Sequence, residues 1–141
     1  MPVNVTFDSI NVGDAMPEWS RETDFMNWNR YAAVNDEFVY IHMDDEAGRA
    51  ALNEQGAFGM GNLRYTYMLN ALRDWLGDEV TIRECGLQYR ARNQKHDLLT
   101  VKGTVTEKSV VDGERLLRLD MNVVNQNGES TSPGHAVVAL D

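Results

Sequence analysis

A chain of 141 residues with 43% hydrophobic and 25% charged side chains is the size of one ordinary domain and long enough to bury a core. Its net charge of −9, from 22 acidic against 13 basic side chains, argues against nucleic acid as a partner, because phosphate backbones need a concentrated basic surface. The lone Cys85 rules out an intramolecular disulfide, and no apolar run approaches the roughly 20 residues that span a bilayer.

Met1-Pro2-Val3-Asn4 carries no basic stretch leading into an apolar one, so no secretory signal is read and the cytoplasm is the expected location. No repeat, low-complexity tract or linker divides the chain, and residues 1–141 are expected to form a single domain.

After a short extended stretch comes a first helix. Thr23 is a plausible N-cap, Asp24 suits the positive helix end, and Phe25, Trp28 and Ala32 recur at helical spacing through Val34. Asp44-Asp45-Glu46 predicts a second, short helix capped by Asp44, with Gly56 near its end. The acidic cluster beside His42 raises a metal site, but an N-cap with a dipole-complementing first turn explains it better. No second imidazole or thiolate is close in sequence, so no metal is expected.

A longer helix is predicted from Gly61 to Leu76, stopped by Gly77. Tyr65, Met68, Leu69, Leu72 and Leu76 form one face, and Leu63, Tyr67 and Ala71 form another. A helix apolar on most sides belongs in the middle of a fold.

The period then changes to two. Val80, Ile82, Cys85, Leu87, Tyr89 and Ala91 alternate, with a slip near Glu84-Gly86 that predicts a bulge. Leu99 to Val105 and Leu117 to Val123 alternate cleanly, and His135 to Leu140 is a last apolar strand. Asp112-Gly113 and Asn127-Gly128 mark turns. The expected class is α+β, an antiparallel sheet wrapped around a long central helix.

The distinctive stretch runs from Arg30 to Asp44 and sets Asp36 and Glu37 within six positions of His42 on a loop between helices. A carboxylate and an imidazole converging on one small volume can hold a water between them and move protons both ways.

Asn35-Asp36-Glu37-Phe38-Val39-Tyr40-Ile41-His42-Met43-Asp44 resembles the active-site segment of the MaoC-like dehydratases, the hot-dog-fold group that includes the (R)-specific enoyl-CoA hydratases. That family's pattern is Ser-Gly-Asp, any residue, Asn-Pro, an aliphatic residue, His, any residue, Asp, and the two align without a gap. Gly59-Met60-Gly61-Asn62-Leu63 sits where the family turns through His-Gly into its central helix. Asn125 to Glu129 and Ser132 to Leu140 resemble its final hairpin.

The resemblance implies a hot-dog fold and the addition or loss of water at the 2,3-bond of an acyl thioester. It places Glu37 as the catalytic acid, five positions before His42. Glu replaces the usual Asp, Val39-Tyr40 replaces Asn-Pro, and Asp36 falls where the family has Gly. Glu37 ranks first for the role and Asp36 second.

The backbone N–H of Gly61, opening the central helix, is the implied donor to the thioester carbonyl. A glycine needed for close approach of helix and sheet explains it equally well. Arg90, Arg92, Lys95 and Arg64 could meet the phosphates of a CoA or carrier-protein thioester, and a solvated strand face explains the first three just as well. His96 and His135 have no acidic neighbour in sequence and are read as surface or structural residues.

No cofactor is expected beyond CoA as part of the substrate. The resemblance also implies a homodimer or higher oligomer of hot-dog units. A non-catalytic hot-dog subunit of a heteromeric dehydratase, or an acyl-thioester-binding protein, is the alternative. An acyl-CoA thioesterase comes third, because the central helix offers only Asp74 as a carboxylate.

Overall fold

The computed structural model describes residues 5–141; residues 1–4, on which the reading of the N-terminus rests, lie outside the described residues. A 3₁₀ turn at Phe7–Ser9 precedes β1 (Trp19–Glu22), α1 (Phe25–Asn35), a 3₁₀ turn at Tyr40–His42 and α2 (Asp45–Ala50). Then follow α3 (Gly61–Leu76), β2 (Thr81–Leu87), β3 (Leu98–Val111), β4 (Glu114–Val124) and β5 (Ser130–Ala139). The five strands make one antiparallel sheet in the order β1-β3-β4-β5-β2.

The alternation in β3 and β4 translates directly into burial. Leu99, Val101 and Val105 face inward with Leu117, Leu119, Met121 and Val123, and α3 lies against them through Leu63, Tyr67, Met68, Ala71, Leu72 and Leu76. The central helix begins and ends as expected, with Gly77 beyond it at φ 94°. Its buried stripe is displaced from the predicted face, because Tyr65 and Leu69 are half-buried while Arg64 is buried. An apolar pattern cannot register a buried arginine.

Asp112 and Gly113 both take positive φ, 52° and 83°, the two-residue turn that matches strand twist. The bulge in β2 is real, a register shift against β5 between Ile82 and Glu84. β2 ends at Leu87 rather than Ala91, although Gln88 N–H still bonds Pro133 O at 2.9 Å and Arg90 N–H bonds Thr131 O at 2.9 Å. Segment 88–92 thus runs on beside β5 and delivers Tyr89 to the start of α3.

Boundaries differ from expectation at three further places. Asp24, not Thr23, caps α1: its carboxylate accepts from Met26 N–H at 2.9 Å and Asn27 N–H at 3.3 Å, while Asn27 Oδ1 accepts the Asp24 N–H. Thr23 is buried instead and donates through its N–H to Asp97 O at 2.9 Å. α2 stops at Ala50, where Leu52 turns the chain with φ 63°, so Gly56 lies beyond the helix. β5 starts at Ser130, five residues before the apolar run, because Thr131 is buried with its hydroxyl bonded to Val123 O at 2.8 Å.

Candidate active site

α1 ends on Asp36, whose backbone is left-handed at φ 53° and ψ 37°. The N–H groups of Asp36 and Glu37 both turn back to Ala32 O, the latter at 3.0 Å. This termination usually takes glycine, and Asp is among the few residues that enter the left-handed region at modest cost. Asp36 is exposed and does not border the cavity described next. Its position at the helix end gives it a structural role.

The reversed chain runs through Glu37 and Val39 into the 3₁₀ turn at Tyr40–His42, closed by His42 N–H on Val39 O at 3.0 Å. Asp44 then caps α2 by accepting the Glu46 N–H at 2.9 Å. His42 is therefore fixed between two terminated helices, and it is buried. Its Nδ1 lies 2.6 Å from Phe58 O. A carbonyl only accepts, so Nδ1 carries a proton, and whenever the ring is neutral its lone pair is on Nε2.

Phe58 belongs to a strap that is itself anchored. Ala57 N–H donates to the Asp45 carboxylate at 3.0 Å, and Gly59 N–H donates to Asn93 O at 2.9 Å. Lys95 Nζ donates to the same Asp45 oxygen at 2.7 Å. That bond first, and the Ala57 N–H second, hold the Asp45 carboxyl below its ordinary value of 3.8.

Glu37, His42, Phe58, Gly59, Gly61, Asn62, Arg64, Tyr89, Arg90, Ala91 and Arg92 line a cavity of about 390 Å³. The structure thus brings together Glu37, His42, Gly61, Arg64, Arg90 and Arg92 of the predicted residues. Lys95, committed to Asp45 and lying over the Phe25 ring, does not border this cavity.

The floor is the start of α3. Met60, its N-cap, supplies no side-chain bond to the first turn, so N–H groups there keep their capacity to donate. Gly61 has a packing reason as well: a Cβ there would meet the Tyr89 ring at 2.7 to 2.9 Å.

The arginines differ in kind. Arg64 is buried and donates to Ala91 O at 2.6 Å and Thr131 O at 3.2 Å, and burial pulls its guanidinium down to about 10. It serves the framework. Arg92 stacks over the Phe58 ring at 4.4 Å and donates to Ala51 O at 3.0 Å. Arg90 reaches Gln88, and both Arg90 and Arg92 are exposed at the rim.

Of the lining residues outside the predicted set, Asn62 and Tyr89 form a chain of side-chain contacts to Glu37. Asn62 Nδ2 donates to Glu37 Oε2 at 3.2 Å, and Tyr89 OH donates to Asn62 Oδ1 at 3.1 Å. Tyr89 reads in sequence as one more apolar position of an alternating strand. Its half exposure, 50%, shows that it left that pattern. His96 and His135 do meet carboxylates, His96 Nδ1 near Glu22 at 3.4 Å and His135 Nε2 against Glu84. Strand pairing of β2 with β5 makes the second contact and the loop leading into β3 makes the first, and neither borders this cavity.

Among the described residues no group of three or more His, Cys, Asp or Glu could hold a metal ion, and no helix is long and apolar enough to cross a membrane.

No family model matches the chain, and no curated protein sequence matches it. Solved structures do. The unliganded R-hydratase PhaJ1 from Pseudomonas aeruginosa superposes with a TM-score of 0.85 at 21% identity, over 97% of this chain and 86% of that one. The ChsH1-ChsH2 complex from Mycobacterium tuberculosis gives 0.81 at 21% identity, over 93% of this chain and 98% of that one. A MaoC-like dehydratase from Rhodospirillum rubrum gives 0.79 at 18% identity, over 96% of each chain. At these identities the likeness establishes the architecture: the chain has the hot-dog fold on which the MaoC-like dehydratases and (R)-hydratases are built.

Proposed function

We propose that the chain is a hydratase/dehydratase that interconverts 2-enoyl and 3-hydroxyacyl thioesters. One observation carries the reading: Glu37 and a tautomer-locked His42 line the same cavity as the uncapped start of the buried central helix. In the hydration direction a water sits between the Glu37 carboxylate and the His42 Nε2 lone pair. Glu37 takes a proton from the water as its oxygen bonds C3, and the same carboxyl returns the proton to C2. The thioester oxygen gains negative charge in between and is met by the N–H of Gly61.

An apolar groove of about 450 Å³ lined by Tyr31, Val34, Leu63 and Tyr67 between α1 and α3 suits the acyl chain. Arg90 and Arg92 at the rim suit the phosphates of the CoA or carrier arm. No cofactor is required beyond that arm. Asp74, the carboxylate a thioesterase would use from this helix, instead accepts the Trp19 indole N–H at 2.5 Å away from the cavity.

The second reading is a hot-dog subunit that works with a partner chain. It is favoured by the apolar surface at the end of α1 and along the site loop, where Val34, Phe38 and Tyr40 are 85%, 58% and 80% exposed, and by the solution of one structural neighbour as a two-component complex.

Purified protein assayed with crotonyl-CoA decides between them. Hydration that is lost in His42→Ala and Glu37→Ala supports the enzyme. Thioester cleavage without hydration sinks it, and inactivity alone with tight association to another hot-dog chain supports the subunit.

A further inference from the structure

Glu37 carries three side-chain torsions and sits half-exposed on a loop, so nothing in its own geometry keeps its carboxylate at one place in the cavity. We infer that Asn62 is the positioning residue for Glu37, holding the carboxylate toward His42, and that Tyr89 sets the orientation of the Asn62 amide. The proposal rests on the hydratase reading and assigns a residue to it that touches the acid rather than the substrate.

The hydrogen-bond logic runs one way. An ionised carboxylate has no proton to give, so the Asn62 edge facing Glu37 is its NH₂, at 3.2 Å. The amide oxygen is thereby turned to Tyr89, which must donate, and does so at 3.1 Å. Burial is the main cause that raises Tyr89 above the ordinary phenol range, so its proton stays in place at neutral pH. Tyr89 is fixed in turn by its close seat on Gly61 and by Arg64, whose guanidinium lies 5.2 Å from its ring centre. The relay Tyr89–Asn62–Glu37 therefore starts on the framework and ends on the proton-transfer group.

A purely structural role explains the same residue poorly. The Asn62 side chain is exposed, and exposed hydrogen bonds contribute little to folding. A misplacement of the acid by about 1 Å, in contrast, can cost on the order of a hundredfold in rate.

The test is a double-mutant cycle on crotonyl-CoA hydration with Asn62→Leu, Glu37→Gln and the pair, read as kcat and KM separately. Asn62→Leu is expected to lower kcat by about tenfold or more with KM within about twofold, and to do nothing further once Glu37 is Gln. Tyr89→Phe should move kcat in the same direction by less, and melting temperatures should barely change. A readout independent of turnover is the Asn62 side-chain amide resonance, which should shift in Glu37→Gln and in Tyr89→Phe. Unchanged kcat in Asn62→Leu, or an equal loss in both Glu37 backgrounds, overturns the proposal while leaving the hydratase reading intact. A wild-type chain that does not hydrate crotonyl-CoA overturns both.

Discussion

The Nδ1–H of His42 donates to the carbonyl oxygen of Phe58 at 2.6 Å, with the two rings edge to face at 5.2 Å. This bond separates the two jobs of the imidazole. One nitrogen belongs to the framework, and the other is left for chemistry.

His42→Asn tests that separation, because an asparagine NH₂ reaches roughly the place of Nδ1–H and nothing replaces Nε2. Denaturation should shift by no more than about 1 kcal/mol, the worth of one hydrogen bond. Hydration should fall by about a hundredfold or more, the usual contribution of a positioned acid–base group. Urea unfolding and initial rates measured on one preparation check both halves.

Asp36→Gly should leave hydration within about twofold and raise stability by about 0.5–1 kcal/mol, because glycine enters the left-handed region freely. Asp36→Ala should lower stability by a similar amount. A large loss of turnover in Asp36→Gly would put Asp36 ahead of Glu37 as the candidate acid.

Gly61→Ala should cost about 1–3 kcal/mol from the forced contact with the Tyr89 ring. Tyr89→Ser should recover most of that loss when combined with it. Additive unfolding energies in the double variant would show that the two residues do not meet.

Asp45 predicts a pH dependence. Its folded-state value is depressed by Lys95 and by the Ala57 N–H, so its contribution is fully present above the unfolded value of 3.8 and is lost as pH falls through the lower folded one. Asp45→Asn should flatten that acid limb in a series of unfolding curves. The same variant frees the strap that carries Phe58 O, so it should also slow hydration at neutral pH.

Much of the architecture was legible because burial obeys period. The span of α3, the alternation of β3 and β4, the β2 bulge and the Asp112-Gly113 turn follow from side chains that had to face in or out. The failures share a different cause. Thr23, Arg64 and Thr131 are polar residues that are buried because specific carbonyls lie within reach, and those partners lie on other segments of the fold. The site divided in the same manner. Local order singled out Glu37 and His42 as candidates that prove to line one cavity, whereas the Asn62 contacts span 25 and 27 residues. Asp36 was ambiguous for a further reason, since residue type does not announce a left-handed backbone.

Arg64 has a consequence for motion. Segment 88–92 lies outside the regular sheet, and such a stretch normally opens first in hydrogen exchange. Here the guanidinium of a core helix clasps Ala91 O and Thr131 O. Lifting the segment would break the bond to Ala91 O and leave a desolvated guanidinium with Thr131 O alone of these two partners. The amides of Gln88 and Arg90 should therefore exchange only with opening of the core itself, and this rim of the cavity behaves as a wall rather than a lid.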